Sequence, residues 1–133
     1  MLSMIKRGKI IRGYKFYNYE ELELHEKNAL EALETYFNVK ITPIKKNNNV
    51  KTPDFLIKNV IWELKSPKGN GKRTMQNNLR DADDQSPNII MDLSRCKMND
   101  LRAISRIKDQ LKQANKIKRL IVIKKSKKVV VIK

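Results

Sequence analysis

Asp54, Glu63 and Lys65 are the residues of this chain whose types and spacing could do chemistry together. They lie in the run TPDFLIKNVIWELKSPKG, which reads as two short strands, residues 54–57 and 60–66, joined by a tight turn at Lys58-Asn59. Side chains alternate along a strand, so Glu63 and Lys65 share one face, while Trp62 and Leu64 take the other and point to the core. Across an antiparallel hairpin, Asp54 can come close to that pair. Two carboxylates and an ammonium converging at one end of a sheet can hold a divalent cation and activate a water.

The elements that must position these groups follow from the pattern on either side. Residues 19–37 read as a helix, with Leu22, Ala29, Leu30, Leu33 and Phe37 on one stripe. At about 100° per residue, Glu26 falls inside that stripe, between Leu22 and Leu30, where a carboxylate is expensive unless something pairs with it. Residues 39–42 form an expected strand ahead of a polar loop and the hairpin. Beyond the hairpin, KGNGKR is a glycine-rich cationic loop carrying Lys68, Lys72 and Arg73. Residues 74–85 suit a helix ended by Ser86-Pro87, and residues 88–93 (NIIMDL) a buried strand. Residues 98–115 suit an amphipathic helix with Leu101, Ile104, Ile107, Leu111 and Ala114 inward, and residues 119–124 and 128–132 a closing pair of strands. The order is α-β-β-β-α-β followed by α-β-β, an α/β layer fold around a mixed central sheet flanked by helices. Residues 1–18 are a basic lead-in without a clear period, expected as an arm or a boundary, and residues 19–133 one domain.

Composition sets the class of partner. The chain has 133 residues, 40% hydrophobic and 33% charged, which fits a globular domain with a core of its own. Thirty Lys and Arg against fourteen acids leave a net charge of +16. Such an imbalance adds self-repulsion and nothing to the fold, so it points to a polyanionic partner, nucleic acid first, then an acidic protein, then an anionic membrane surface. No apolar run approaches the roughly 20 residues of a membrane span, and no signal peptide is visible. A single cysteine, Cys96, excludes an internal disulfide and a multi-cysteine zinc site. A single histidine, His25, excludes chemistry that needs a histidine pair.

Asp54 followed by Glu63-Leu64-Lys65, with Pro53 before the aspartate, resembles the PD-(D/E)xK motif of metal-dependent nucleases. That superfamily has a restriction-endonuclease-like core of the same α-β-β-β-α-β order and an acidic residue on its first helix, the place Glu26 holds here. More narrowly, the run from the helix through PDFLI and WELKSP to Gln85 and NIIMDL is similar to the C-terminal tRNA-cleaving toxin domains of contact-dependent growth inhibition and related polymorphic toxins. The resemblance implies that Asp54, Glu63 and Glu26 ligate a divalent metal, Mg²⁺ before Mn²⁺ or Zn²⁺, with the Leu64 carbonyl as a further ligand. It implies that Lys65 orients the attacking water, that Gln85 positions water or phosphate, and that Lys68, Lys72 and Arg73 grip the nucleic acid. The cations of residues 116–133, with Lys6, Arg7 and Arg12, extend that track. It further implies an effector at the C-terminal end of a larger secreted or cell-surface protein, acting in the target-cell cytoplasm and neutralised by an acidic cognate immunity protein; otherwise the chain is cytoplasmic. The residues alone do not separate RNA from DNA, so a DNA endonuclease of the resolvase or restriction type stays open, as does a nucleic-acid-binding module that does not cut.

Overall fold

The computed structural model describes residues 18–45, 54–71 and 73–133, and the backbone of residues 5–6, 9–10 and 15–16. Pro53, Arg7, Arg12, Lys72 and the loop of residues 46–53 lie outside the described residues, as does the side chain of Lys6. A small hairpin of β1 (Ile5–Lys6) and β2 (Lys9–Ile10) precedes β3 (Lys15–Phe16). Then come α1 (Leu24–Phe37), β4 (Thr42–Lys45), β5 (Phe55–Ile57), β6 (Val60–Lys65), α2 (Thr74–Asp83) and β7 (Asn88–Asp92). The last elements are α3 (Asp100–Leu111), β8 (Arg119–Ile123) and β9 (Val129–Val131). From α1 onward the order is the expected one.

Strands β3 to β9 form one seven-stranded sheet in chain order. Its centre, β6-β7-β8, is parallel, and the remaining pairs are antiparallel. Parallel neighbours need a crossover, and α2 and α3 supply the two. Both pack on one face, where Met75, Leu79, Ala82, Ala103 and Ile107 meet Ile89, Met91, Leu120 and Val122. On the other face α1 sets Ala29, Leu30 and Leu33 against Phe55, Ile57, Trp62, Leu64, Ile90, Ile121 and Ile123. At about 1.5–3 kcal/mol for each large apolar side chain removed from water, these two layers pin the central strands. The middle of β7, Ile89-Ile90-Met91, is fully buried.

Three local expectations need correction. Helix α1 begins at Leu24 rather than residue 19; residues Tyr19–Glu21 form a separate 3₁₀ turn, and Leu22 is buried outside the helix. The turn is tied to α1 by the Tyr19 hydroxyl, which donates to Glu31 Oε1 at 2.6 Å. That bond raises the phenol above its ordinary pKa, so the link is intact at neutral pH and lost only as pH rises through the raised value. Strand β4 covers Thr42–Lys45 instead of residues 39–42, because Asn38 closes α1 in the left-handed conformation (φ 54°) and the chain then reverses. Leu101 is 84% exposed, not inward: Asn99 caps α3 by accepting the Arg102 N–H at 2.8 Å, and that phase buries Ala103 and Ile107. Residues 15–16 of the lead-in, expected as an arm or a boundary, form the edge strand β3 on β4.

Candidate active site

Strands β5 and β6 form a hairpin whose two turn residues, Lys58 and Asn59, both have positive φ (49° and 68°). This is the mirror-image turn whose twist matches that of paired strands, and asparagine tolerates it best among residues with a side chain. The turn fixes the register Ile57↔Val60, Leu56↔Ile61, Phe55↔Trp62. One step further, Asp54 stands across from Glu63.

Asp54 is fixed there by three bonds. Its N–H donates to the Trp62 carbonyl at 2.9 Å, and its carbonyl accepts the Ile44 N–H at 2.7 Å. Its Oδ2 accepts the Leu64 N–H at 2.7 Å, so the carboxylate takes the place a backbone carbonyl would hold in the ladder. The carboxylate therefore lies against the peptide joining Glu63 to Leu64. Each carboxylate oxygen has two lone pairs, so accepting this N–H is compatible with cation binding.

Glu63 is 2% exposed, enclosed between β5 and β7. Lys65 Nζ lies 3.6 Å from Glu63 Oε2. Leu64 and Trp62 sit in the α1-side core, so the expected alternation holds and Glu63 and Lys65 face the α2 side. A buried carboxylate with an ammonium beside it is a partly neutralised pair. The structure thus brings Asp54, Glu63 and Lys65 together.

It does not bring the other two expected members to them. Because α1 starts late, Glu26 is its third residue, and Oε1 turns back to accept the Glu23 N–H at 3.0 Å in a capping box. Gln85 follows α2, at the end where β7 begins; the neighbouring Ser86 and Asn88 side chains donate to the Ile61 carbonyl, near the start of β6. Lys65 is at the far end of that strand. Among the described residues no three His, Cys, Asp or Glu side chains form a metal-holding group. Two carboxylates suit Mg²⁺, which keeps several waters and binds through one or two carboxylates and substrate phosphates. They do not make the closed N/S set of a zinc site.

The loop leaving β6 is held close to the site. The Gly69 carbonyl accepts from Cys96 Sγ at 3.3 Å, and the Lys68 carbonyl from the Lys97 N–H at 3.3 Å. Gly69 passes close to α2: a Cβ there would stand 2.9 Å from Thr74 Oγ1, so the hydroxyl would have to shift to admit one. Lys68 and Arg73 are exposed on this loop, whose far end opens α2. Asp81 and Asp84 lie on a solvated helix end, Asp84 paired with Lys116 at 3.3 Å. His25 is paired with Glu23 at 3.3 Å.

Asp92 is not among the residues expected from sequence. It ends β7, is 1% exposed and accepts the Ser94 N–H through Oδ1 at 3.0 Å. Its Oδ2 has no hydrogen-bond partner among the described residues. The available signal was an acid inside the apolar run IIMDL. By strand alternation Asp92 faces the α1 side, away from Lys65, whose partner across the ladder is Met91.

The family model described as the contact-dependent growth inhibition CdiA C-terminal domain matches residues 51–129, from the hairpin through β8 into β9. Among solved structures, the chain is similar to one described as the CdiA-CT/CdiI toxin and immunity complex from Burkholderia pseudomallei. The TM-score is 0.65 and the sequences are 16% identical, with 96% of each chain covered, a likeness of fold. No curated protein matches.

Proposed function

The chain belongs to the contact-dependent growth inhibition CdiA C-terminal domain family, and on that premise we propose that it is a toxin domain that hydrolyses tRNA at the Asp54–Glu63–Lys65 centre. The observation that carries the reading is the fixed Asp54 carboxylate on the Leu64 N–H, with Glu63 and Lys65 3.6 Å apart on the same strand. Asp54 and Glu63 are the residues that would hold a Mg²⁺ ion or a similar hard cation. When bound, such an ion supplies positive charge at the scissile phosphate and lowers the pKa of a coordinated water.

The protein's own groups do the rest. The Lys65 ammonium, anchored by Glu63, orients the attacking water and offsets the charge that builds on the phosphorane-like transition state. Lys68 and Arg73 hold backbone phosphates next to the centre. Enclosure of Glu63 by β5 and β7 keeps its carboxylate in one position, so no reorganisation is needed when the substrate arrives.

A domain of charge +16 also calls for an acidic partner while it is held in the cell that makes it. The similar solved structure is a toxin and immunity complex, which supports an acidic immunity protein covering the basic face of this domain. The family supports a place at the C-terminal end of a larger secreted protein, with action inside a target bacterium. No helix among the described residues is long and apolar enough to cross a membrane.

The test is incubation of the domain with total tRNA and with plasmid DNA, each with Mg²⁺ and with chelator. Cleavage of tRNA alone, abolished by chelator, is the expected result. Cutting of the plasmid would reassign the substrate to DNA, and cutting undiminished by chelator would remove the metal.

A further inference from the structure

On the face of the sheet opposite the candidate site, the C-terminal end of α1 and the hairpin turn border an open cavity of about 290 Å³. Its walls are Tyr36, Phe37 and Trp62, and its rim carries Lys58 and Arg119. The rings make a stepped surface: Tyr36 meets Phe37 edge to face at 4.9 Å, and Phe37 lies 6.1 Å from Trp62. Tyr36 is 45% exposed, leaving part of its ring open beside an apolar floor of Ile57, Val60 and Ile121. Lys58 Nζ stands 6.0 Å from the centre of the Phe37 ring. The Arg119 guanidinium is steadied by Asn88 Oδ1, which accepts from Nη1 at 3.3 Å. Among the described residues no carboxylate pairs with Lys58 or Arg119.

We propose that this cavity is a second nucleic-acid site, which stacks one unpaired base of the substrate RNA on Tyr36 and places the flanking phosphates against Lys58 and Arg119. The proposal rests on the ribonuclease reading and adds to it a contact remote from the cut. Aromatic walls with cations at the rim match the two halves of a nucleotide, a flat ring and an anion. Lys58 belongs to the β5–β6 turn and Arg119 to β8, two strand spacings from β6, about 10 Å, within side-chain reach of the phosphates on either side of a single base. Trp62 and Glu63 are successive residues of β6 on opposite faces. An RNA filling both sites must therefore bend around the hairpin or present two distant parts of one fold. A folded RNA with exposed loops meets that condition and a short linear one does not.

Trp62 is the only tryptophan of the chain and lines the cavity, so its emission reports the site directly. The wild-type domain, in chelator, is titrated with a short 2′-O-methylated unpaired oligoribonucleotide. The Trp62 signal is expected to change saturably. Tyr36→Ala and Lys58→Glu are each expected to weaken the Trp62-reported affinity about tenfold. Lys108→Glu, the same charge change on α3 across the sheet, is expected to weaken it less than Lys58→Glu. Unchanged emission, or equal losses from Lys108→Glu and Lys58→Glu, would overturn the proposal. So would a response to a glutamate-rich peptide bearing one phenylalanine in place of the oligoribonucleotide, which would assign the cavity to an acidic protein. The outcomes separate from those of the ribonuclease reading. If that reading fails, no RNA is cut with Mg²⁺ although Trp62 responds; if only the cavity proposal fails, RNA is cut and Trp62 stays silent.

Discussion

The Asp54 carboxylate holds the strand through the Leu64 N–H and is the proposed metal ligand, and the two roles can be separated. Asp54→Asn keeps an oxygen acceptor for the Leu64 N–H and removes the charge. Its thermal stability should stay within about 1 kcal/mol of the parent, while tRNA cleavage falls by about 10²–10³. A calorimetric scan beside a rate measurement checks both halves; a variant that cuts at the parental rate would take Asp54 out of the chemistry. Glu26 is the opposite case. Gln serves a capping box as well as Glu, so Glu26→Gln should leave both stability and cleavage nearly unchanged. Glu26→Ala should lose about 0.5–1 kcal/mol in urea unfolding and still cut. If Glu26→Gln abolishes cleavage in the tRNA assay, Glu26 acts at the site and its capping bond is secondary.

At the scale of elements, the hairpin decides whether the site exists. Asn59 at φ 68° tolerates a conformation that a β-branched residue resists, so Asn59→Val should destabilise the domain by about 1–2 kcal/mol. The same substitution should reduce cleavage in proportion to lost register, because Asp54 reaches Leu64 only in the present one; Asn59→Gly should restore both, as read by urea midpoint and rate. The hairpin was legible in the sequence because alternation, β-branched residues and an asparagine at the turn all pointed the same way. The ends of α1 were not. Leu22 continues the helical period although it lies outside the helix, and Glu23, an uncommon residue at the N-cap position, hid the true start. That error of phase put Glu26 in the core stripe. Pro43 hid the continuation of β4 from Thr42 to Lys45, since proline lacks the N–H that marks an internal strand.

For the whole molecule, the element order from α1 to β9 followed from periodicity, strand-forming composition and turn residues together. What periodicity cannot supply is side-chain convergence across layers. Nothing local to Tyr36, Lys58, Trp62 and Arg119 says that they share a cavity, and Asp92 became visible only when its burial was known. Charge, by contrast, is fully legible and acts at this scale. If roughly four phosphates are neutralised, tRNA affinity should fall about a hundredfold between about 50 and 200 mM salt. A filter-binding series across that range checks it, and a flat response would exclude backbone charge as the source of affinity.

The bond from the Asp54 carboxylate to the Leu64 N–H spans only ten residues of chain, all within one hairpin. Parallel pairing of β6 with β7 and of β7 with β8 instead waits for two helical crossovers to close. Local hairpins form in about 1–10 μs, whereas contacts distant in sequence carry the loop-closure entropy that slows folding. The geometry of the proposed centre is thus encoded in the fastest part of the folding reaction, and its enclosure in the slowest. A chain that emerges unfolded in a new compartment would bring Asp54 and Glu63 together first and become a rigid, closed fold only when β7 pairs beside Glu63.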